Sequence, residues 1–225
     1  MTGLLALLRG MQFADAQFPS GGFAFSWGVE SLMADGLLTR ADWPEFLAGQ
    51  MNHRWAPHDR PLVAYAFQAA ADHAALKELD ELTEALAIAS AAREGSRRAG
   101  AALLGTHARL GTKGAAEYRA LVTAGEAPGH LPVVLGLALA GAGLDLPTTL
   151  AVSAHTTAQS LGSAAVRLGL IGALDAQAAL QNIQPRIAEL IAAPTPPLDN
   201  IGSFTPLTDI ALMRHPFQKQ QLFSN

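Results

Sequence analysis

Leu76-Lys77-Glu78-Leu79-Asp80-Glu81-Leu82-Thr83-Glu84-Ala85-Leu86 is the stretch that decides the fold class. Its leucines recur at intervals of three and four, and charged residues fill the gaps. That is the period of an amphipathic α-helix with an acidic, solvated outer face. Helical spacing continues on both sides, and alternating strand patterns are absent. The pattern predicts about ten helices, over roughly 3–12, 22–35, 41–54, 60–73, 75–89, 90–110, 114–124, 131–142, 148–171 and 175–192. Start signals agree: Thr39 three residues before Asp42, Asp59 ahead of Pro61, and Asp145 ahead of Pro147. Gly36, Gly111, Gly125 and Gly172 read as stops. Pro185 is expected to kink the last helix. The fold class is therefore all-α, a single-domain bundle.

Composition supports this. The chain has 225 residues, half of them hydrophobic, with 15% charged and 6% aromatic. Mean hydropathy is +0.21. Ample apolar material excludes global disorder. Few aromatics leave Ala, Leu and Val to build the core, which favours closely packed helices. One domain, residues 1–193, is expected to hold the helices. Pro194, Pro196 and Pro197 read as a stiff linker. The tail beyond them, within 194–225, carries Ile201, Phe204, Ile210, Leu212, Met213, Phe217, Leu222 and Phe223. A disordered tail would carry fewer apolar residues, so this one is expected to pack on the body or on a partner.

Several chemistries are excluded. A net charge of -4 argues against a sequence-independent nucleic-acid binder. The absence of cysteine removes disulfides, thiol catalysis and thiolate metal sites. The apolar run Leu4 to Leu8 has no basic residue before it, unlike a secretory signal. The longest apolar stretch, Leu131 to Leu144, is shorter than the ~20 residues a membrane span needs. A cytoplasmic protein bound neither to membrane nor to nucleic acid is expected. Gly111-Thr112-Lys113-Gly114 has the letters of a phosphate loop in the wrong order, and no dinucleotide, zinc-protease or serine-hydrolase motif occurs. Of the seven histidines, His53 and His58 lie near Asp59, but the trio reads as solvated loop. His130 and His155 read as hydrogen-bonded structural histidines. No catalytic residue, cofactor or metal is expected.

Two segments rise above background. Phe18-Pro19-Ser20-Gly21-Gly22-Phe23-Ala24-Phe25-Ser26-Trp27-Gly28-Val29-Glu30 reads as a Pro/Gly turn running into an aromatic-rich helix. Within such a helix Ser26 and Glu30 share one face, and so do Phe23 and Trp27. A mid-helix Gly28 costs ~1 kcal/mol against Ala, which a close backbone approach would justify. The second segment is the helix near 148–171. Thr149, Ser153, Thr156, Ser160, Ser163 and Arg167 form an uncharged hydroxyl stripe that ends in one arginine. Such a row suits contact with another helix, with Arg167 as specific donor, as well as it suits a wet surface.

These segments resemble the urease accessory protein UreF family. Phe18-Pro19-x-Gly21-x-Phe23-x-x-Ser26-x-Gly28-x-Glu30 is similar to that family's N-terminal signature. Arg93-Glu94-x-Ser96 with Gly100 resembles its middle motif, and His130-x-Pro132-Val133-x-x-Gly136 the motif that opens the next helix. Ala165-Val166-Arg167-Leu168-Gly169, with Gly172 and Gln177, resembles its late helix. Asp209-Ile210-Ala211-x-Met213-x-His215 fits the tail. The likeness runs in order along nearly the whole chain.

The resemblance implies a homodimeric, non-catalytic chaperone of nickel insertion. Such a factor binds UreD (also called UreH), recruits the GTPase UreG and helps deliver nickel to apo-urease. Phe23, Ser26, Glu30, Ser160, Arg167, His215, Leu222 and Phe223 are the expected partner-binding residues. Alternatives are a regulator of the UreG GTPase, with Arg97, Arg98 and Arg109 as its basic candidates, and a helical small-ligand binder or enzyme. The chain departs from the family in two places. The tail reads Gln221-Leu222-Phe223-Ser224-Asn225 where the family carries basic residues, and Phe23 stands where the family often has Tyr. An Arg-to-Tyr hydroxyl link is thereby removed, which leaves the tail to dock more weakly or through Leu222 and Phe223 alone.

Overall fold

Carboxylates start several of the helices. Asp72 accepts from the amides of Ala74 and Ala75, and Asp145 from that of Thr148, satisfying donors that a first turn leaves orphaned. The computed structural model describes residues 3–217 and 222–223, with the backbone alone at Phe23. In order come α1 (Gly3–Ala14), a 3₁₀ turn (Gly22–Ala24), α2 (Val29–Ala34) and α3 (Trp43–Gln50). A π-helical segment (Met51–Asp59) then joins α3 to α4 (Arg60–Gln68). Next are α5 (His73–Leu86), α6 (Ser90–Arg109), α7 (Ala115–Thr123), α8 (Leu131–Gly141), α9 (Leu146–Arg167) and α10 (Ala173–Ala192). Two more 3₁₀ turns (Leu198–Asn200 and His215–Phe217) flank α11 (Pro206–Arg214). The fold is all-α, with no strand among the described residues.

The rod formed by α3, the π segment and α4 is the axis. Its first half puts Trp43, Leu47, Met51 and Trp55 into a core shared with α9 and α10. Its second half puts Leu62 and Ala66 into a second core with Leu103, Leu104, Tyr118, Val134 and Leu137. Trp55 donates its indole N–H to Ser153 Oγ at 3.0 Å, so the buried ring keeps its polar atom paired. Helix α8 lies against α4 with almost no gap. A Cβ added at Gly136 would stand 2.5 Å from the Val63 carbonyl oxygen and 2.8 Å from the Phe67 nitrogen. Only glycine fits there.

The rod also fastens the C-terminal arm. Pro57 and Pro61 carry no N–H. In α register the carbonyl of His53 would face the nitrogen of Pro57, and that of Pro57 the nitrogen of Pro61. Phe204 N–H donates to His53 O at 2.9 Å instead, and Gly202 N–H to Pro57 O at 3.2 Å. Buried Arg60 adds Nη1 to Ala193 O at 2.7 Å and Nη2 to Pro194 O at 3.0 Å. The Tyr65 hydroxyl donates to Pro196 O at 3.1 Å. The proline-rich linker is thus laid along the body.

Four sequence expectations need correction. The helix expected over 22–35 breaks into a 3₁₀ turn and a short α2, because Trp27 (φ 52°) and Gly28 (φ 90°) are both left-handed. Asp59 caps nothing: the rod runs through it, and its carboxylate lies 2.9 Å from His58 Nδ1 and 3.9 Å from Arg54 Nε. His53, His58 and Asp59 are therefore helical rather than solvated loop, and His58 is buried. Gly172 opens α10 with its amide on Asp175; the left-handed residue after α9 is Gly169 (φ 73°).

The α4–α8 contact yields a direct test. Gly136→Ala is expected to lower unfolding free energy by about 1–3 kcal/mol through overpacking. Urea denaturation monitored by tryptophan fluorescence and circular dichroism measures it, and an unchanged midpoint contradicts the close approach.

Candidate functional site

The left-handed pair Trp27–Gly28 aims the chain so that α2 begins at Val29 and carries Glu30 in its first turn. A Cβ at Gly28 would stand 3.0 Å from Thr208 Cγ2 and 3.4 Å from the Thr208 carbonyl oxygen. The close approach inferred from the sequence is real, and the approaching element is α11. Gln50 Nε2 donates to Thr208 Oγ1 at 2.8 Å and pins the same helix from the rod. One turn further along the same face of α11, Leu212 packs on Ala89 and Ala92.

Glu30 is buried and gathers the end of the arm. Its Oε2 lies 3.0 Å from Nε2 of buried His215. The Leu222 amide donates to Oε1 at 2.6 Å, and the Phe223 amide to Oε2 at 3.3 Å. Ser26 Oγ accepts from the Glu30 amide at 3.4 Å. A carboxylate in a helical first turn also gains from the helix dipole. Together these offset the cost of burying it. Arg167, near the end of α9, holds its guanidinium carbon 4.3 Å above the Phe223 ring, a cation–π geometry.

Each candidate residue therefore has a definite place. Ser26, Glu30, His215, Phe223 and Arg167 meet in one cluster within the chain. Leu222 contributes its amide while its side chain stays 71% exposed. Ser160 lies on the wall of a space that Arg167 and Phe223 also line. The Phe23 side chain lies outside the described residues, as do Gln221, Ser224 and Asn225. Trp27 pairs with Phe25, their ring centroids 5.3 Å apart, and Arg98 stands over Phe25. Arg97 pairs with Glu84 at 3.7 Å, and Arg109 donates to its own helix at Gly105 O. His130 is fully buried with Nε2 2.8 Å from Glu84. Among the described residues no group of three potential metal ligands comes together, and no helix is long and apolar enough to cross a membrane.

The hydroxyl stripe of α9 turns partly inward. Ser153, Thr156 and Ser160 line a cavity of about 110 Å³, whose wall also includes Phe13, Phe18, Gln50, Arg54, Asp59 and His107. Burial pushes the Asp59 carboxyl up, but the His58 hydrogen bond and the Arg54 charge together hold it below the usual range. His107 Nδ1 bonds Thr112 Oγ1 at 2.9 Å, while its ring packs against Phe13 and Phe18. Burial lowers its pKa from 6.5 to about 4.

The rod's grip on the arm is not foreseen from the sequence. Its signal is two prolines four residues apart inside a helical span. One exposed apolar face also escapes the sequence reading, Leu4, Leu7, Leu8 and Met11 on α1; a second, Leu207, Ile210 and Met213 on α11 with Phe204 and Phe217 at its ends, belongs to the tail whose apolar residues the sequence singles out.

The geometry defines an all-helical protein that clasps its C-terminal arm against its N-terminal turn. A family model described as UreF matches residues 37–184. The chain is 35% identical to the urease accessory protein UreF of Agrobacterium fabrum, over 99% of this chain and 97% of the relative. It is 33% identical to that of Paracoccus denitrificans, over 97% and 95%, and 34% to one from Cereibacter sphaeroides, over 97% and 98%. The chain belongs to the UreF family.

Glu30→Ala removes the carboxylate that His215 and two tail amides share, so residues 222–223 are expected to lose hydrogen-exchange protection while the body stays folded, with stability down by about 1–3 kcal/mol. Retained protection places the anchor elsewhere. His107 supplies a pH test. Between pH 6.5 and about 4 the unfolded histidine binds a proton that the folded one refuses. Stability therefore falls as pH drops through that window, by about 3 kcal/mol for this residue. His107→Asn, which can keep the Thr112 bond, is expected to make the slope of urea stability against pH shallower; an equal slope assigns the acid sensitivity to other groups.

Proposed function

We propose that this chain is a non-catalytic urease maturation factor that works as a scaffold in nickel insertion. It binds UreD (UreH), recruits the GTPase UreG and brings both to apo-urease in the cytoplasm, acting as a homodimer. The observation that carries this reading is the near-full-length match to proteins named urease accessory protein UreF. The surface supports it physically. Leu4, Leu7, Leu8 and Met11 recur at helical spacing on α1, all outward and all more than half exposed. Contiguous apolar faces of this kind mark protein contacts. A two-fold pairing of α1 with its copy buries this one. The outer ridge of α11 suits a second, different partner.

Complementation tests the reading. In a strain whose own UreF gene is deleted, expression of this chain is expected to restore urease activity, and the purified chain to retain UreD and UreG. Leu8→Arg is expected to shift the chain from dimer to monomer in light scattering without altering its circular dichroism. Absent complementation together with absent retention refutes the scaffold. Retention together with a changed GTPase rate of UreG favours the regulator.

A further inference from the structure

We propose that the internal cavity is a binding site for a small one-ring ligand with a single hydroxyl, and that this hydroxyl pairs with His107 Nε2. The cavity holds about 110 Å³. Two smaller spaces of about 60 and 40 Å³ share wall residues with it, Ser20 and Ser160 on one side and Ser96 and Pro132 on the other. Together they are on the scale of the roughly 150 Å³ that accepts a benzene ring. Most of the wall is apolar, with Phe13, Phe18, Leu103, Leu135 and Leu139 among its residues. Its polar side chains are largely spent inside the chain. Thr156 and Thr157 return their hydroxyl protons to carbonyls of α9. Ser153 Oγ accepts from Trp55, and Ser96 Oγ from the Leu131 amide. Gln50 Nε2 donates to Thr208, and Arg54 faces Asp59.

His107 is the exception. It is fully buried, its Nδ1 is paired with Thr112, and its ring lies against Phe13 and Phe18. Its Nε2 has no hydrogen-bond partner among the described residues. Burial keeps the ring neutral near pH 7, so Nε2 donates or accepts according to the tautomer. A ligand hydroxyl answers either case, and a buried nitrogen left unpaired is costly. An apolar cavity with one unanswered polar atom has the make-up of a small-molecule site.

Phenol and toluene are the probes, because they exchange a hydroxyl for a methyl of similar size. Calorimetric titration of the full-length chain is expected to show saturable binding of phenol. The nitrogen NMR resonance of His107 Nε2 is expected to move with phenol and to stay in place with toluene. His107→Phe keeps a ring against Phe13 and Phe18 but removes the nitrogen. It is expected to weaken phenol about tenfold, the loss implied by an unpaired buried hydroxyl, and to leave toluene within about twofold. Absent saturable binding of phenol, a His107 nitrogen that phenol leaves unmoved, or equal weakening of both ligands by His107→Phe each overturns the site. Where His107→Phe does not fold, the nitrogen resonance of the unaltered chain decides.

Discussion

Phe204 and Gly202 give their amide hydrogens to carbonyls that a regular helix would keep for itself. Pro57 and Pro61 stand one turn apart, so the acceptors left without α-register donors share one face of the rod. An extended segment presents alternate amides to one side, which suits residues two apart in the arm. Each bond is worth only about 1 kcal/mol net, yet a buried carbonyl without a partner costs more than that. Much of the C-terminal geometry follows. The strap sets where α11 begins, and α11 crosses Gly28 closely enough to exclude a side chain. That crossing brings His215 to Glu30, and Glu30 receives Leu222 and Phe223.

Most of this recognition is made by backbone atoms of the arm. Arg60 and Tyr65 grip carbonyls, and Glu30 grips amides. Backbone groups are present whatever the side chains, so this grip depends little on which side chains the arm carries. The cation at the tail's end is supplied from the body: Arg167 reaches over Phe223. Glu30 is thus an acceptor for three donors of the arm, and its burial is tolerable because they arrive together.

The all-helical architecture is legible because leucine spacing survives packing: α5 to α10 lie within a few residues of the spans read from it. The losses have local physical causes. Trp27 is a bulky residue at positive φ, a conformation its type rarely adopts, so only Gly28 beside it marks the break between Ser26 and α2. The π segment has the same residues as an α-helix, and only its two prolines hint at outward-looking carbonyls. Helix α11 is short and unevenly apolar, so its sequence shows a docking tail and no more. The α9 hydroxyl stripe stands out as unusual, but a row facing an internal cavity and a row facing another protein have the same composition. Glu30, Arg167 and Phe223 stand out one by one; their convergence depends on contacts spanning most of the chain length, which no local pattern encodes.

Helix α11 has two sides with different obligations. Its inner side is committed to Gly28, Gln50, Ala89 and Ala92. Its outer side leaves Leu207, Ile210 and Met213 in water, with Phe204 and Phe217 at its ends. A rigid nine-residue helix cannot change one side without moving the other. A partner that grips the outer ridge only when the inner side is seated must therefore strengthen the seat by the same free energy, and the seat must strengthen the partner's hold equally. The Glu30 cluster lies just beyond the C-terminal end of that helix, so it feels any such partner without touching it. Residues buried within the chain can in this way govern association at a surface several side chains away.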